Sequence, residues 1–189
     1  MEQREAVTTA LEHLKKGDVI LSPTDTIYGL SCDATNESAV EKIKQMKGRE
    51  EHQGFIVLLS NDRMLNQCYK EIPGVVWDLV DLADSPLTVV LDEGRFVASN
   101  VLNLDGSLGF RMLKKGPAYE LVQKFGKPIV STSPNLSGQP TPMEFNLIDE
   151  EIRNKADFVF PYSDKMEMSG KPSKIIRMSP NGEVKILRK

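Results

Sequence analysis

The sequence predicts an α/β or α+β domain built on a mixed sheet. Three observations predict it. Short apolar runs of strand length alternate with segments whose apolar residues recur at helical spacing. One run, "GFIVLLS" (54–60), is apolar without interruption, as in a strand buried on both faces. Near the C-terminus two further runs flank Asn181-Gly182, which predicts a hairpin with a type I′ turn.

The elements follow in order. In 1–17, Val7, Ala10, Leu11 and Leu14 share one helical face, and Gly17 stands where a C-cap belongs. "DVILSP" (18–23) reads as a buried strand. It leads into "SPTDTIYGL" (22–30), a stretch dense in small hydroxyl-bearing and turn residues. Asn36 can cap a second helix that carries Val40, Ile43 and Met46 on one stripe. After the 54–60 strand, "NDRMLNQCY" (61–69) reads as helix. Pro73 suits a first helical turn, with Val76, Leu79, Val80 and Ala83 behind it. "PLTVVL" (86–91) and "SLGFRML" (107–113) are strands. "PAYELVQKF" (117–125) is a helix ended by Gly126, and "KPIVSTS" (127–133) is a strand. "IDEEIRNKA" (148–156) is helical, and 157–162, 173–179 and 183–189 close the chain as strands. The connection 163–172 is polar and carries Gly and Pro. It reads as a lid or as a plain connection.

Composition sets outer bounds. With 189 residues, one domain covering 1–189 is expected, burying about two-thirds of its unfolded surface. The net charge of −3 gives no global basic field for nucleic acid, although a local basic patch stays open. Cys32 and Cys68 fit no metal spacing and no disulfide framework, which points to a reducing cytoplasm. The N-terminus lacks the apolar core of a signal peptide. No apolar run approaches the ~20 residues of a membrane helix.

The catalytic patterns that are missing narrow the chemistry. There is no Walker A pattern, no strand followed by G-x-G-x-x-G, and no G-x-S-x-G elbow. His13, on a polar helix face, reads as a solvated surface residue, and His52, in a charged loop, as structural. Four polar stretches remain. The first is 22–30. The second is "KGREEHQG" (47–54), whose Lys47 and Arg49 would by themselves be a cationic helix cap. The third is "STSPNLSGQPTP" (131–142). Its hydroxyls directly after a strand can present donors to phosphate, against the alternative of an ordinary turn cluster. The fourth is "SGKPSKIIR" (169–177), with Arg188 close to the chain end.

Taken together, these stretches resemble the YrdC/YciO family, whose best-known members are L-threonylcarbamoyladenylate synthases. "SPTDTIYGLSCDA" is similar to the family's P-T-[DE]-T-x-Y-G-L stretch, and "IKQMKGR" to its K-x-R segment. "SPLTVVL" resembles its P-G-P-x-T strand, and "GFRM" its R-x-P strand. "IVSTSPNLSGQPTP" resembles its S-x-S-A-N-x-S-G loop, "KPSKIIR" its P-S-T segment and "ILRK" its terminal arginine. The resemblance implies a twisted mixed α/β sheet, flanked by helices, around a deep central cavity. It implies that threonine and bicarbonate give N-carboxythreonine, whose carboxylate attacks the α-phosphate of ATP and releases pyrophosphate. Mg²⁺ would accompany the ATP. The product would pass to tRNA-modification partner proteins acting on ANN-decoding tRNAs.

By the same resemblance, Thr26, Arg111 and Ser131 would hold threonine. Arg49, Gln53, Thr88, Ser133, Asn135 and Thr141 would hold ATP, with Lys47 as a phosphate partner and Arg188 clamping the phosphates. Lys47 and Arg49 would be the catalytic cations. Four positions depart from the pattern: Ser85 for Gly, Pro134 for Ala, Glu50 for Pro and Lys174 for the Thr of P-S-T. The first three read as loop variation. Lys174, on the threonine side by the same resemblance, must pair with an acid, reach solvent or meet an anionic ligand, and it is expected to extend along the cavity wall and leave the pocket partly accessible. Two other functions remain open: a YciO-type paralogue with a different nucleotide or acyl-phosphate activity, and an RNA-binding module.

Overall fold

The structure, a computed structural model, describes residues 2–49, 54–163 and 166–189. It contains six α-helices and nine strands in chain order among the described residues. Helix α1 (Gln3–Lys16) buries Ala6, Val7, Ala10 and Leu14, and Gly17 ends it in a left-handed conformation. Strand β1 (Ile20–Pro23) is followed by β2 (Tyr28–Asp33). Helix α2 (Glu37–Lys47) starts on Asn36, whose side chain accepts from the Ala39 N–H, and buries Val40, Ile43 and Met46. Then come β3 (Ile56–Leu59), α3 (Asp62–Cys68), α4 (Gly74–Leu82), β4 (Leu87–Leu91) and β5 (Leu108–Met112). Helix α5 (Gly116–Phe125), β6 (Ile129–Thr132), α6 (Glu150–Lys155), β7 (Phe158–Val159), β8 (Lys174–Met178) and β9 (Val184–Arg188) complete the chain.

The strands join in one mixed sheet ordered β7-β1-β2-β6-β3-β5-β4-β8-β9. The pairs β1·β7, β3·β5 and β4·β8 are parallel, and the other five are antiparallel. Its central strands β2, β6, β3 and β5 are almost wholly buried, as the apolar run of β3 requires. Helix α1 packs along α5, α5 against β3 and β1, and α2 against β2. No helix among the described residues is long and apolar enough to cross a membrane. Cys32 and Cys68 are buried free thiols, and burial pushes Cys68 up to about 12.

Three readings of the sequence are corrected. The stretch 22–30, read as dense in turn residues with no strand assigned after 18–23, carries a second strand. It is a hairpin whose second strand, β2, pairs Pro23 with Tyr28. The C-terminal turn is not type I′. The Gly182 N–H donates to the Ser179 carbonyl at 2.9 Å, Asn181 has no positive φ, and Gly182 sits at φ +83°. This is a type I turn with Pro180 at its first central position, closed by a glycine bulge. His13 is not simply solvated: its Nδ1 lies 2.8 Å from Asp18 Oδ2, and its ring stacks on Phe158.

Phe110 is fully buried and packs on Tyr69, one residue before Arg111 on β5. Phe110→Ala should lower stability by about 3–5 kcal/mol in urea unfolding. A loss below about 1 kcal/mol would show that the sheet centre closes up freely around the gap.

Candidate active site

The hairpin tip is built by its own hydroxyls. Thr24 Oγ1 accepts from the N–H groups of Thr26 and Ile27, donates to the Ile27 carbonyl at 2.7 Å, and lies 2.8 Å from Thr26 Oγ1. This is a self-bonded turn in which side-chain oxygens replace backbone partners. The segment after 165 lies across it: the Ser169 N–H donates to the Asp25 carbonyl and the Gly170 N–H to the Thr26 carbonyl. In β2, Gly29 allows close approach, since a Cβ there would sit 2.8 Å from Ser131 Oγ.

These parts surround a cavity of about 230 Å³. Of the residues expected from the sequence, it brings together Thr26, Arg49, Arg111, Ser131, Ser133, Thr141 and Arg188. They come from the hairpin tip, the end of α2, β5, β6 with its following loop, and β9. Three guanidinium groups therefore converge on one wall of hydroxyls. Arg49 donates to the Gly54 carbonyl at 2.5 Å and to Thr132 Oγ1 at 3.3 Å, and lies over the Phe55 ring. Arg188 donates from Nε to the Ser173 carbonyl at 2.8 Å and from a terminal nitrogen to Ser173 Oγ at 3.2 Å. Arg111 is 4% exposed, with its Nε 3.1 Å from Asp25 Oδ1. Burial opposes the charge of all three, and for Arg111 the attraction of Asp25 works the other way. Guanidinium stays protonated regardless, so the cavity is electropositive and suits a polyanion.

The remaining expected residues fall elsewhere. Lys47 is 3% exposed and does not line the cavity. Its ammonium donates to the carbonyls of Ser133 and Asn135, both at 2.5 Å, and burial, with Arg49 nearby, pulls it down to about 8. Its own carbonyl accepts from the Ser137 N–H. Lys47 thus braces the loop after β6. Within that loop Asn135 donates its amide to the carbonyls of Leu136 and Gln139, leaving Oδ1 buried without a hydrogen-bond partner. Thr88 is fully buried, so it cannot touch a nucleotide. Its hydroxyl lies 2.8 Å from Ser173 Oγ, directly behind the group that holds Arg188.

Lys174 is corrected outright. It is exposed, while Ser173 and Ile175 on either side of it line the cavity. Strand alternation turns the lysine to the opposite face. Gln53 lies outside the described residues, as do Glu50 and His52. The sequence reading missed Thr24, Phe55, Thr132 and Ser173. Ser173 lay within the "KPSKIIR" segment that the resemblance singled out, and that was its signal.

Comparison with known proteins identifies the family of this fold. The family model Sua5_yciO_yrdC, described as "Telomere recombination", matches residues 12–189. A Pseudoalteromonas translucida protein named threonylcarbamoyl-AMP synthase is 31% identical over 144 residues, 75% of this chain and 77% of that one. A Mus musculus protein of the same name is 32% identical over 71% of this chain but only 48% of its own length, so the chain spans about half of that relative. Pyrococcus abyssi Sua5, solved in complex with L-threonine, superposes with a TM-score of 0.83 at 28% identity, covering 94% of this chain and 52% of that one.

Two substitutions separate bracing from ligand contact. Lys47→Met should cost about 2–3 kcal/mol in urea unfolding without nucleotide, because two carbonyls lose a charged donor. A residue that served only as a phosphate ligand would leave ligand-free stability unchanged. Thr88→Val should weaken ATP binding about 2- to 10-fold in calorimetry by loosening Ser173 and Arg188, and Thr88→Ser should restore it. Equal affinities for all three proteins would remove Thr88 from the site's support.

Proposed function

The chain belongs to the Sua5/YciO/YrdC family, and from that membership we propose that it is an L-threonylcarbamoyladenylate synthase, a nucleotidyltransferase serving tRNA modification. One observation carries the reading: Arg49, Arg111 and Arg188 converge on a single hydroxyl-walled cavity, in a chain whose relatives bear the synthase name. The reaction takes ATP, L-threonine and bicarbonate. The carboxylate of N-carboxythreonine attacks the α-phosphorus and pyrophosphate leaves in line.

Such a displacement needs no protein nucleophile. It needs reactants held in line and charge neutralised on the phosphates. Arg111 would take the threonine carboxylate, with Thr26 and Ser131 beside it. Arg49, Ser133 and Thr141 would hold the nucleotide, and Arg188 the phosphates. Lys47 contributes by holding the loop that presents Ser133, and Asn135 fixes that loop from within. Mg²⁺ enters as the counter-ion of ATP. Among the described residues no group of three His, Cys, Asp or Glu side chains is placed to hold it, so the phosphates would carry it. The product would be handed to protein partners that act on tRNA.

The test is direct. The purified chain, given ATP, Mg²⁺ and bicarbonate, should release pyrophosphate only when threonine is added, and threonylcarbamoyl-AMP should appear by mass spectrometry. Turnover indifferent to threonine would favour a YciO-type activity on another acceptor. RNA binding that falls steeply with salt, with no turnover, would mark a binding module.

A further inference from the structure

A second cavity, of about 510 Å³, adjoins the first and is larger than it. Asp25 lines the larger one and Arg111 the arginine-walled one, so this pair forms part of the wall between them. The contact is incomplete. Asp25 Oδ1 and Arg111 Nε are 3.1 Å apart, yet both are buried and neither has a hydrogen-bond partner. A carboxylate and a guanidinium that satisfied each other would not leave both atoms open. The pair is placed to receive a ligand carrying both charges, the head group of a free α-amino acid.

We propose that Asp25 is a catalytic residue, the carboxylate that binds the α-ammonium of the amino-acid substrate and takes its proton so that the amine can be carboxylated. This rests on the synthase reading. Threonine arrives as an ammonium, which has no lone pair to attack a carbonyl carbon. Asp25 removes one proton from nitrogen. The amine attacks the carbon of bicarbonate and a C–N bond forms. The bond to the bicarbonate hydroxyl breaks, and hydroxide leaves as water with a second proton from nitrogen. The products are N-carboxythreonine, water and one proton held on Asp25.

The surroundings favour that transfer. Burial raises the Asp25 carboxyl, with Arg111 opposing it, and Arg111 disfavours a second cation beside it. The Asp25 side chain is 25% exposed and borders the larger cavity, which gives the proton a way out to water. The other charged groups lining that cavity are Asp84, Lys114, Lys115 and Glu167. Lys115 pairs with Glu167, and Lys114 donates to the Asp81 carbonyl, so neither lysine is paired with Asp25.

The experiment follows threonine-dependent pyrophosphate release against pH at saturating ATP and bicarbonate. Asp25→Asn, nearly isosteric, should bind ATP like the wild type in calorimetry but turn over at least about 100-fold more slowly at neutral pH. Its rate should climb with pH as the free-amine fraction of threonine rises, while the wild type stays flat. Asp25→Glu should keep the flat profile at a reduced rate, and it tests the same point if the Asn variant does not fold. An Asn variant within a few-fold of wild type at neutral pH overturns the inference. So does a loss that is parallel across the pH range, since Asp25 would then only position Arg111. So does a steep profile for the Glu variant. Wild-type protein with no threonine-dependent release overturns the synthase reading first, and this inference with it.

Discussion

Around this cavity cationic charge is partly withdrawn from water, with Lys47 buried at the end of α2, Arg49 half-buried and Arg188 exposed on the edge strand β9, and much of it is held by neutral groups. The Lys47 ammonium sits between two carbonyls, Arg188 is fixed by the carbonyl and hydroxyl of Ser173, and Arg49 donates to a carbonyl and a hydroxyl. Around Lys47 and Arg188 the neutral acceptors satisfy the donors without cancelling the charge, so part of the desolvation cost remains in the folded protein, and an anionic ligand in the cavity offsets it. Local features of the site follow from this constraint. The chain after β6 must turn its carbonyls toward Lys47, and that turn leaves Ser133 and Thr141 on the cavity. The chain entering β8 must offer both polar groups of Ser173 to Arg188, and Thr88 anchors that serine from behind.

The order of elements was legible because burial on two faces leaves long apolar runs, and because Asn36, Gly17 and Gly126 punctuate the helices by known cap chemistry. Strand β2 was legible but not read: in "YGLSCD" Tyr28, Leu30 and Cys32 alternate with Gly29, Ser31 and Asp33, and the whole strand is buried, with β1 and β6 at its two edges. Its hairpin tip also carries no Asn-Gly or Asp-Gly, since Thr24 Oγ1 makes the bonds such a turn would otherwise lack. The C-terminal turn failed for a different reason. Asn-Gly serves both the two-residue and the three-residue loop, and only the pairing of Met178 with Val184 decides between them.

The site residues divide along the same line. Arg111 and Arg188 carry no local signal: an arginine in a strand pattern reads as a solvated face. Only the resemblance to a family singled them out, and their position on the cavity depends on strands far apart in sequence. Thr88 and Lys47 were legible as members of the constellation but not in their parts. Ligand contact needs exposure to the cavity, and burial is a property of the folded sheet. For Lys174 the folded strand held the answer: Ser173 and Ile175 line the cavity and Lys174 between them is excluded from it, whereas on β6 the consecutive Ser131 and Thr132 both line it, so alternation alone did not decide.

That exclusion removes the main obstacle to ordinary threonine chemistry in this chain. A lysine inside the pocket would have added a flexible fourth cation where a short hydroxyl belongs, changing both shape and charge. With Lys174 turned to solvent, Ser173 supplies the hydroxyl at the cavity. Among the described residues, the carboxylate in contact with the site's arginines is Asp25. A site for three anionic or zwitterionic reactants gains nothing from further carboxylates, since each would compete with substrate for the guanidiniums. One carboxylate, in the wall beside Arg111, is the exception that electrostatics allows for a substrate that also carries a cation.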